Sequence, residues 1–315
     1  MRSGLNLDHS AKSNAPYFLY SLFLLSSLYT KKANAKAKAK ANANAINNTL
    51  STINLLYLFG FRNFDRMKIL VLIPARYASS RFPGKPLAII KGKPMIQRVY
   101  EQSMKAYDDV CVATDDERIY NKVKEFGGRV VMTSTEHQSG TDRCLEALER
   151  FSAEAGVRYD AVINVQGDEP YIQPEQIRLV GELLAKDNAD IATLVMRVDS
   201  VEEYNNSNSP KVVTDKEGYA LYFSRSPIPF SRGAEVTDEV LKNGRFYRHV
   251  GMYGYRSCVL KEICTLPQSF LEKTEKLEQL RWLENGYRIK TAITEYQTHA
   301  VDTPEDLKYL NETDL

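Results

Sequence analysis

Cysteine is scarce here, and the few cysteines carry no pattern. Cys111, Cys144, Cys258 and Cys264 form no CxxC pair and sit beside no spaced histidine cluster. Neither a zinc site nor a disulfide framework is indicated, and all four are expected simply to pack in a reduced, cytosolic protein. GxGxxG and GxxxxGK[ST], the two common glycine-rich phosphate loops, are also missing. Nor is there a concentrated basic surface. Residues 1–66 hold nine Lys/Arg against two Asp/Glu, which leaves 33 basic and 38 acidic residues, a net charge of −5, in 67–315. The mild basicity of the whole chain therefore belongs to its first segment, and a nucleic-acid-binding body is disfavoured.

That first segment looks foreign to the rest. Residues 33–45 alternate alanine with asparagine and lysine, a low-complexity tract with no face to bury. Residues 15–29 form an apolar and aromatic run interrupted by Ser21, Ser26 and Ser27. The run is short for a membrane span and resembles the apolar core of a signal peptide. Export or anchoring is one reading of it. The other, preferred here, is a low-complexity extension from a start codon placed too early, with Met67, directly before a strand-like run, expected as the true beginning. No stable membrane association is expected.

What is there, from residue 68 onward, is a regular alternation. Apolar runs at 69–73, 110–113, 130–132, 161–165 and 191–195 read as buried strands. Helix-period segments lie between them, near 95–106, 117–126, 141–153 and 174–185. Short continuous apolar strands alternating with amphipathic helices indicate an α/β fold, a mainly parallel sheet with helices on both faces. The rhythm then changes. Residues 211–214 and 219–224 flank Asp215-Lys216-Glu217-Gly218, a hairpin signal with glycine at the left-handed position. A strand at 249–255, a helix over 271–285 and a last strand at 288–293 complete the pattern. A smaller antiparallel insertion in the parallel sheet is expected.

Ligands in open α/β sheets bind at the carboxyl ends of the strands. The loop after the first strand carries Arg76, Arg81 and Lys85, with a hydroxyl at Ser79. Guanidinium forks match phosphate oxygens in bidentate fashion, and lysine adds a mobile point charge. A merely solvated basic loop would look similar. Asp168 follows the 161–165 strand, and Asp302 follows the last strand region. Two carboxylates delivered from separated strands suit Mg²⁺, which prefers hard oxygen ligands completed by substrate phosphates. Taken alone, Asp302 could equally be a helix N-cap before Thr303-Pro304, and Asp168 a turn residue before Pro170.

Residues 73–86, Ile-Pro-Ala-Arg-Tyr-Ala-Ser-Ser-Arg-Phe-Pro-Gly-Lys-Pro, resemble the opening signature of the 3-deoxy-manno-octulosonate (Kdo) cytidylyltransferases. Related sialic-acid enzymes are similar only through Pro-Ala-Arg. Six further stretches, at 137–143, 164–170, 219–225, 248–255, 277–281 and 301–307, follow in that family's order. The resemblance implies a Rossmann-like nucleotidyltransferase sheet and a reaction in which CTP and Kdo give CMP-Kdo and pyrophosphate, for lipopolysaccharide biosynthesis in the cytoplasm. It implies Mg²⁺ on Asp168 and Asp302, and a homodimer. CTP would be held by Ala75, Arg76, Ser79, Arg81, Lys85, Gln138, Ser139, Arg143 and Asp168. Of these, Arg76, Arg81 and Lys85 would act with the two aspartates in catalysis. Kdo would be held by Gln166, Arg225, His249, Tyr253, Glu278 and Gln279. Read as residues only, His249 and Tyr253 could be core-lining on one strand face, and Glu278 and Gln279 an exposed helix face. A related acidic or amino-substituted sugar, or a catalytically silent nucleotide-sugar-binding protein, would carry much of the same pattern.

Overall fold

The computed structural model describes residues 67–78, 82–185, 189–233, 235–297 and 300–313. The 1–66 segment and the loop residues Ser79 and Arg81 lie outside the described residues. In chain order the first half comprises β1 (Ile69–Ala75), a small hairpin of β2 (Ile89–Ile90) and β3 (Lys93–Pro94), α1 (Met95–Met104), β4 (Val110–Thr114), α2 (Glu117–Glu125), β5 (Val130–Met132), α3 (Gly140–Ala155), β6 (Ala161–Asn164) and α4 (Pro174–Ala185). The second half comprises β7 (Ile191–Arg197), α5 (Val201–Asn205), β8 (Lys211–Thr214), β9 (Ala220–Ser224), α6 (Asp238–Asn243) and β10 (Tyr247–Arg256). It ends with α7 (Ser257–Ile263), α8 (Phe270–Glu275), α9 (Gln279–Glu284), β11 (Ile289–Ile293) and α10 (Pro304–Glu312).

The main sheet runs β11-β7-β10-β6-β1-β4-β5, with the β8–β9 hairpin attached to β10. β1 pairs in parallel with β4 and β6, β4 with β5, and β7 with β11. The cause is visible in β1 itself. Leu70 and Leu72 enter one apolar cluster, and Ile69, Val71 and Ile73 enter another on the opposite face. A strand apolar on both sides must be covered on both. α1, α2 and α4 cover the second face, while α3, α7 and α9 cover the first. α3 shows how locally this is specified. Ser139 caps its first turn by accepting from the Asp142 amide, and Cys144, Ala147, Leu148 and Phe151 form its buried stripe.

The smaller antiparallel insertion forms as expected, and β10 within it lies inside the main sheet, antiparallel to β6 on one side and β7 on the other. Two expectations need correction. The helix expected over 271–285 is two short helices, because Lys276 adopts a left-handed conformation (φ 55°) between α8 and α9. Of the cysteines, Cys111 and Cys144 are buried and Cys264 partly so, but Cys258 is exposed on α7. The β8–β9 hairpin forms as expected, with Asp215 Oδ1 accepting from the amides of Glu217 and Tyr219 across the turn. Among the described residues no helix is long and apolar enough to cross a membrane.

Pairing across the sheet aligns Leu72, Asn164, Tyr253, Thr193 and Thr291 in one row. In-register neighbours project to the same face. That row sets Tyr253 beside the end of β6, ahead of the loop that carries Asp168.

Candidate active site

A cleft of ≈ 250 Å³ opens where β1 and β6 end, bounded opposite by the N-terminus of α3. Its walls include Ala75, Arg76, Lys85, Gln138, Ser139, Arg143, Gln166, Asp168 and Asp302. The first-strand loop is shaped by packing rather than by a glycine-rich phosphate loop. Gly84 donates its amide to the Tyr77 carbonyl at 2.9 Å, closing the loop at its base. It does so at φ 72°, where a Cβ would also press on the Tyr77 ring at 3.0 Å, so glycine is required. The Arg118 guanidinium lies 3.3 Å from the centre of the same ring, a cation–π contact that helps hold it. Lys85 begins the 3₁₀ turn that follows and points back into the cleft.

Asp168 is delivered by close backbone approach. A Cβ on Gly167 would come within 2.9 Å of the Pro74 carbonyl oxygen, so only glycine lets the β6 loop lie against the end of β1. The next tether is the Val301 amide, which donates to the Asp168 carbonyl at 2.9 Å and sets Asp302 alongside. Asp302 is not the helix cap. Thr303 caps α10 in a reciprocal box with Asp306, and Asp306 also accepts from the Asp302 amide. The Asp302 carboxylate instead faces Lys85, whose Nζ lies 2.7 Å from Asp168 Oδ2 and 3.5 Å from Asp302 Oδ1.

This geometry tests the implied Mg²⁺. Two carboxylates from distant segments converge on the Lys85 ammonium, and their oxygens are hard donors. This donor set fits a divalent cation such as Mg²⁺, which would need further oxygen ligands. Among the described residues no group of three or more His, Cys, Asp or Glu could hold an ion unaided.

Among the described residues, the other expected nucleotide contacts fall on the same cleft. Arg76 is exposed at its edge, and Gln138 donates to the Glu136 carbonyl at 3.0 Å. Arg143 is buried instead of reaching outward: it pairs with Asp115 at 2.6 Å and donates to Thr133 and Ser134. It therefore organises the turn ahead of α3. Asp115 was not anticipated, although a carboxylate just past the end of β4 was a signal available in the sequence. His137, also on the cleft wall, bonds through Nε2 to Glu146, and this hydrogen bond helps hold the Glu146 carboxyl below its ordinary range against the opposing effect of burial.

Most of the expected sugar set gathers on the α3 side of the sheet. His249 and Tyr253 rings lie 5.0 Å apart, and Tyr253 meets Trp282 edge-on at 5.0 Å. Glu278 accepts from Thr141 at 2.8 Å, and burial raises its carboxyl above the ordinary range. Gln279 is buried, so the exposed helix face that the pattern also allowed is excluded. Tyr253 Oη and Gln279 Nε2 are buried without a hydrogen-bond partner in the structure, at a cost of roughly 1–3 kcal/mol each unless a ligand supplies one. Gln166 donates to Asn164 at 3.3 Å on the cleft wall. Arg225 is the member set apart. Its guanidinium donates to the carbonyls of Glu275, Ser207 and Lys276, fastening the end of β9 to the break between α8 and α9.

A family model described as cytidylyltransferase matches residues 70–290. The 3-deoxy-manno-octulosonate cytidylyltransferase of Parabacteroides distasonis is 58% identical over 246 residues, covering 77% of this chain and 96% of that one. This chain belongs to the 3-deoxy-manno-octulosonate cytidylyltransferases. The Bacteroides thetaiotaomicron member is 55% identical over 249 residues, covering 78% and 98%. Among solved structures, a CMP:2-keto-3-deoxy-manno-octonic acid synthetase complexed with CTP superposes with a TM-score of 0.70 at 42% identity. That match covers 78% of this cytidylyltransferase and 97% of the other chain.

Proposed function

We propose that this cytidylyltransferase transfers CMP from CTP to 3-deoxy-manno-octulosonate, releasing pyrophosphate. The observation that carries the reading is the convergence of Lys85, Asp168 and Asp302 in a cleft that also holds the capped N-terminus of α3. CTP would lie with its triphosphate toward Arg76 and Lys85, joined by Ser79 and Arg81, and with its base toward Gln138 and Ser139. The sugar would enter from the row containing Tyr253, where Gln279 and Tyr253 offer buried groups to its hydroxyls.

The sugar's anomeric hydroxyl attacks the α-phosphorus, losing its proton to water, and the P–O bond to pyrophosphate breaks in line. No protein nucleophile is needed, so the chain's contribution is positioning and charge stabilisation. Arg76 and Lys85 neutralise the departing pyrophosphate. Asp168 and Asp302 would hold Mg²⁺, which when bound supplies Lewis-acid stabilisation of phosphate charge.

The same proposal includes action as a cytoplasmic homodimer feeding lipopolysaccharide synthesis. β9 is an edge strand with Leu221 61% exposed, and Phe230 beyond it is 84% exposed, a surface suited to a second copy. The test of the activity is pyrophosphate release from CTP with Mg²⁺, run with Kdo and with its 8-amino analogue. Release that needs the analogue and ignores Kdo would overturn the substrate assignment, and no release with either would overturn the activity.

A further inference from the structure

Thr193 lies in the middle of β7, fully buried, at the point where pairing with β10 shifts register between Val250 and Tyr253. Such a bulge leaves backbone groups without ladder partners. The Thr193 hydroxyl meets them: Oγ1 lies 2.7 Å from the Met252 carbonyl oxygen and 3.3 Å from that of Val250. It also lies 2.9 Å from His249 Nε2. A hydroxyl has one proton to give and lone pairs to accept with. Carbonyls only accept, so that proton goes to Met252, the nearer one. The contact with the imidazole is then satisfied only if Nε2 carries a hydrogen and donates it to Oγ1.

We propose that Thr193 is a positioning residue that holds His249 as its Nε2–H tautomer, so that Nδ1 is presented to the sugar as a hydrogen-bond acceptor. The inference rests on the reading that His249 contacts the sugar. It adds a chemical assignment: an acceptor nitrogen suits a sugar hydroxyl and is repelled by the sugar's carboxylate. Two further observations agree. The ring is wedged edge-on to Phe223 at 5.3 Å and tilted against Tyr253, which fixes its plane. Burial, reinforced by neighbouring Arg248, pushes the imidazole down to about 3, so it is neutral at working pH and has a tautomer to select.

Ring ¹⁵N NMR of the free protein, with His249→Gln identifying the signal among four histidines, reads the tautomer directly. Nε2 protonated and Nδ1 bare is expected; the opposite assignment overturns the proposal, and this holds even if every Thr193 variant fails to fold. Thr193→Val removes the hydroxyl at similar volume. Loss of one neutral hydrogen bond predicts a KM for Kdo raised about three- to tenfold, with kcat and the KM for CTP near wild type and the tautomer preference lost. Thr193→Ser should restore both. A valine variant with wild-type KM for Kdo would sink the idea. If wild-type enzyme ignored Kdo while the ¹⁵N spectrum showed Nε2–H, the substrate reading would fail and the tautomer assignment would stand.

Discussion

Lys85→Met should do two opposite things to one site. In the structure the Lys85 ammonium lies between the Asp168 and Asp302 carboxylates, with its side chain only 14% exposed. A divalent cation entering without nucleotide must displace it. A hydrogen bond to a charged group is worth roughly 1.5–3 kcal/mol, about ten- to a hundredfold in an equilibrium constant. Methionine fills similar space without charge and removes the ammonium that both carboxylates face. Mn²⁺ affinity of the nucleotide-free variant should therefore rise by that factor. CTP affinity should fall by a similar factor, because the triphosphate loses the same ammonium. Wild-type enzyme, by the same logic, should take up metal mainly together with CTP, when phosphate oxygens can receive the displaced lysine. Free Mn²⁺ counted by electron paramagnetic resonance, with and without CTP, measures both arms. Unchanged or weaker Mn²⁺ binding in nucleotide-free Lys85→Met would refute the reasoning.

Asp168→Asn and Asp302→Asn should each lower turnover by orders of magnitude while leaving the thermal melt within a few degrees, since shape is kept and an anionic oxygen is lost. Full activity of either in EDTA would contradict the metal role. A chain beginning at Met67 should fold and turn over as the full chain does; a folded but inactive product would show that residues 1–66 contribute. For pH, His249 is held near 3 in the native state against an ordinary 6.5. The unfolded chain thus takes a proton below 6.5 that the native chain refuses until about 3. The stability tied to this is full above 6.5 and lost as pH falls toward 3, by up to about 1.4 kcal/mol per pH unit. Urea unfolding of wild type and His249→Gln should show the difference between them shifting in favour of the variant across that window, whereas a constant difference would contradict the assignment.

The parallel half of the sheet was legible because its strands are apolar on both faces and its helices carry buried stripes, a pattern only a two-sided sheet satisfies. The place of Asp168 at the end of a buried strand was legible, but the close approach of Gly167 to the Pro74 carbonyl that sets it against β1 was not. Asp302 was not legible from its own residues, since Asp302 and Thr303 are both good caps, and only the Asp306 box decides for Thr303. The break at Lys276 was hidden because lysine disfavours the left-handed region. Tertiary partners override the preference there: Arg225 takes the carbonyls of Glu275 and Lys276, and Arg281 pairs with Glu272 at 2.7 Å in the interior. Arg143 looked like a ligand-facing cation, and nothing nearby in sequence announced that Asp115, from another strand, would claim it.

The placement of β10 has a consequence for how the chain is made. β6 and β7 never meet, because a strand running the other way and arriving some fifty residues after β7 fills the space between them. As synthesis proceeds, β1, β4, β5 and β6 can assemble with their helices while β6 still offers a bare edge, and β7 has no neighbour to join. Such an edge is open to mispairing with other chains until it is sealed. The block built on β1, β4, β5 and β6 is thus able to form early. The later block is the closing piece, set in place only when Tyr247–Arg256 emerges and stitches the two into one sheet.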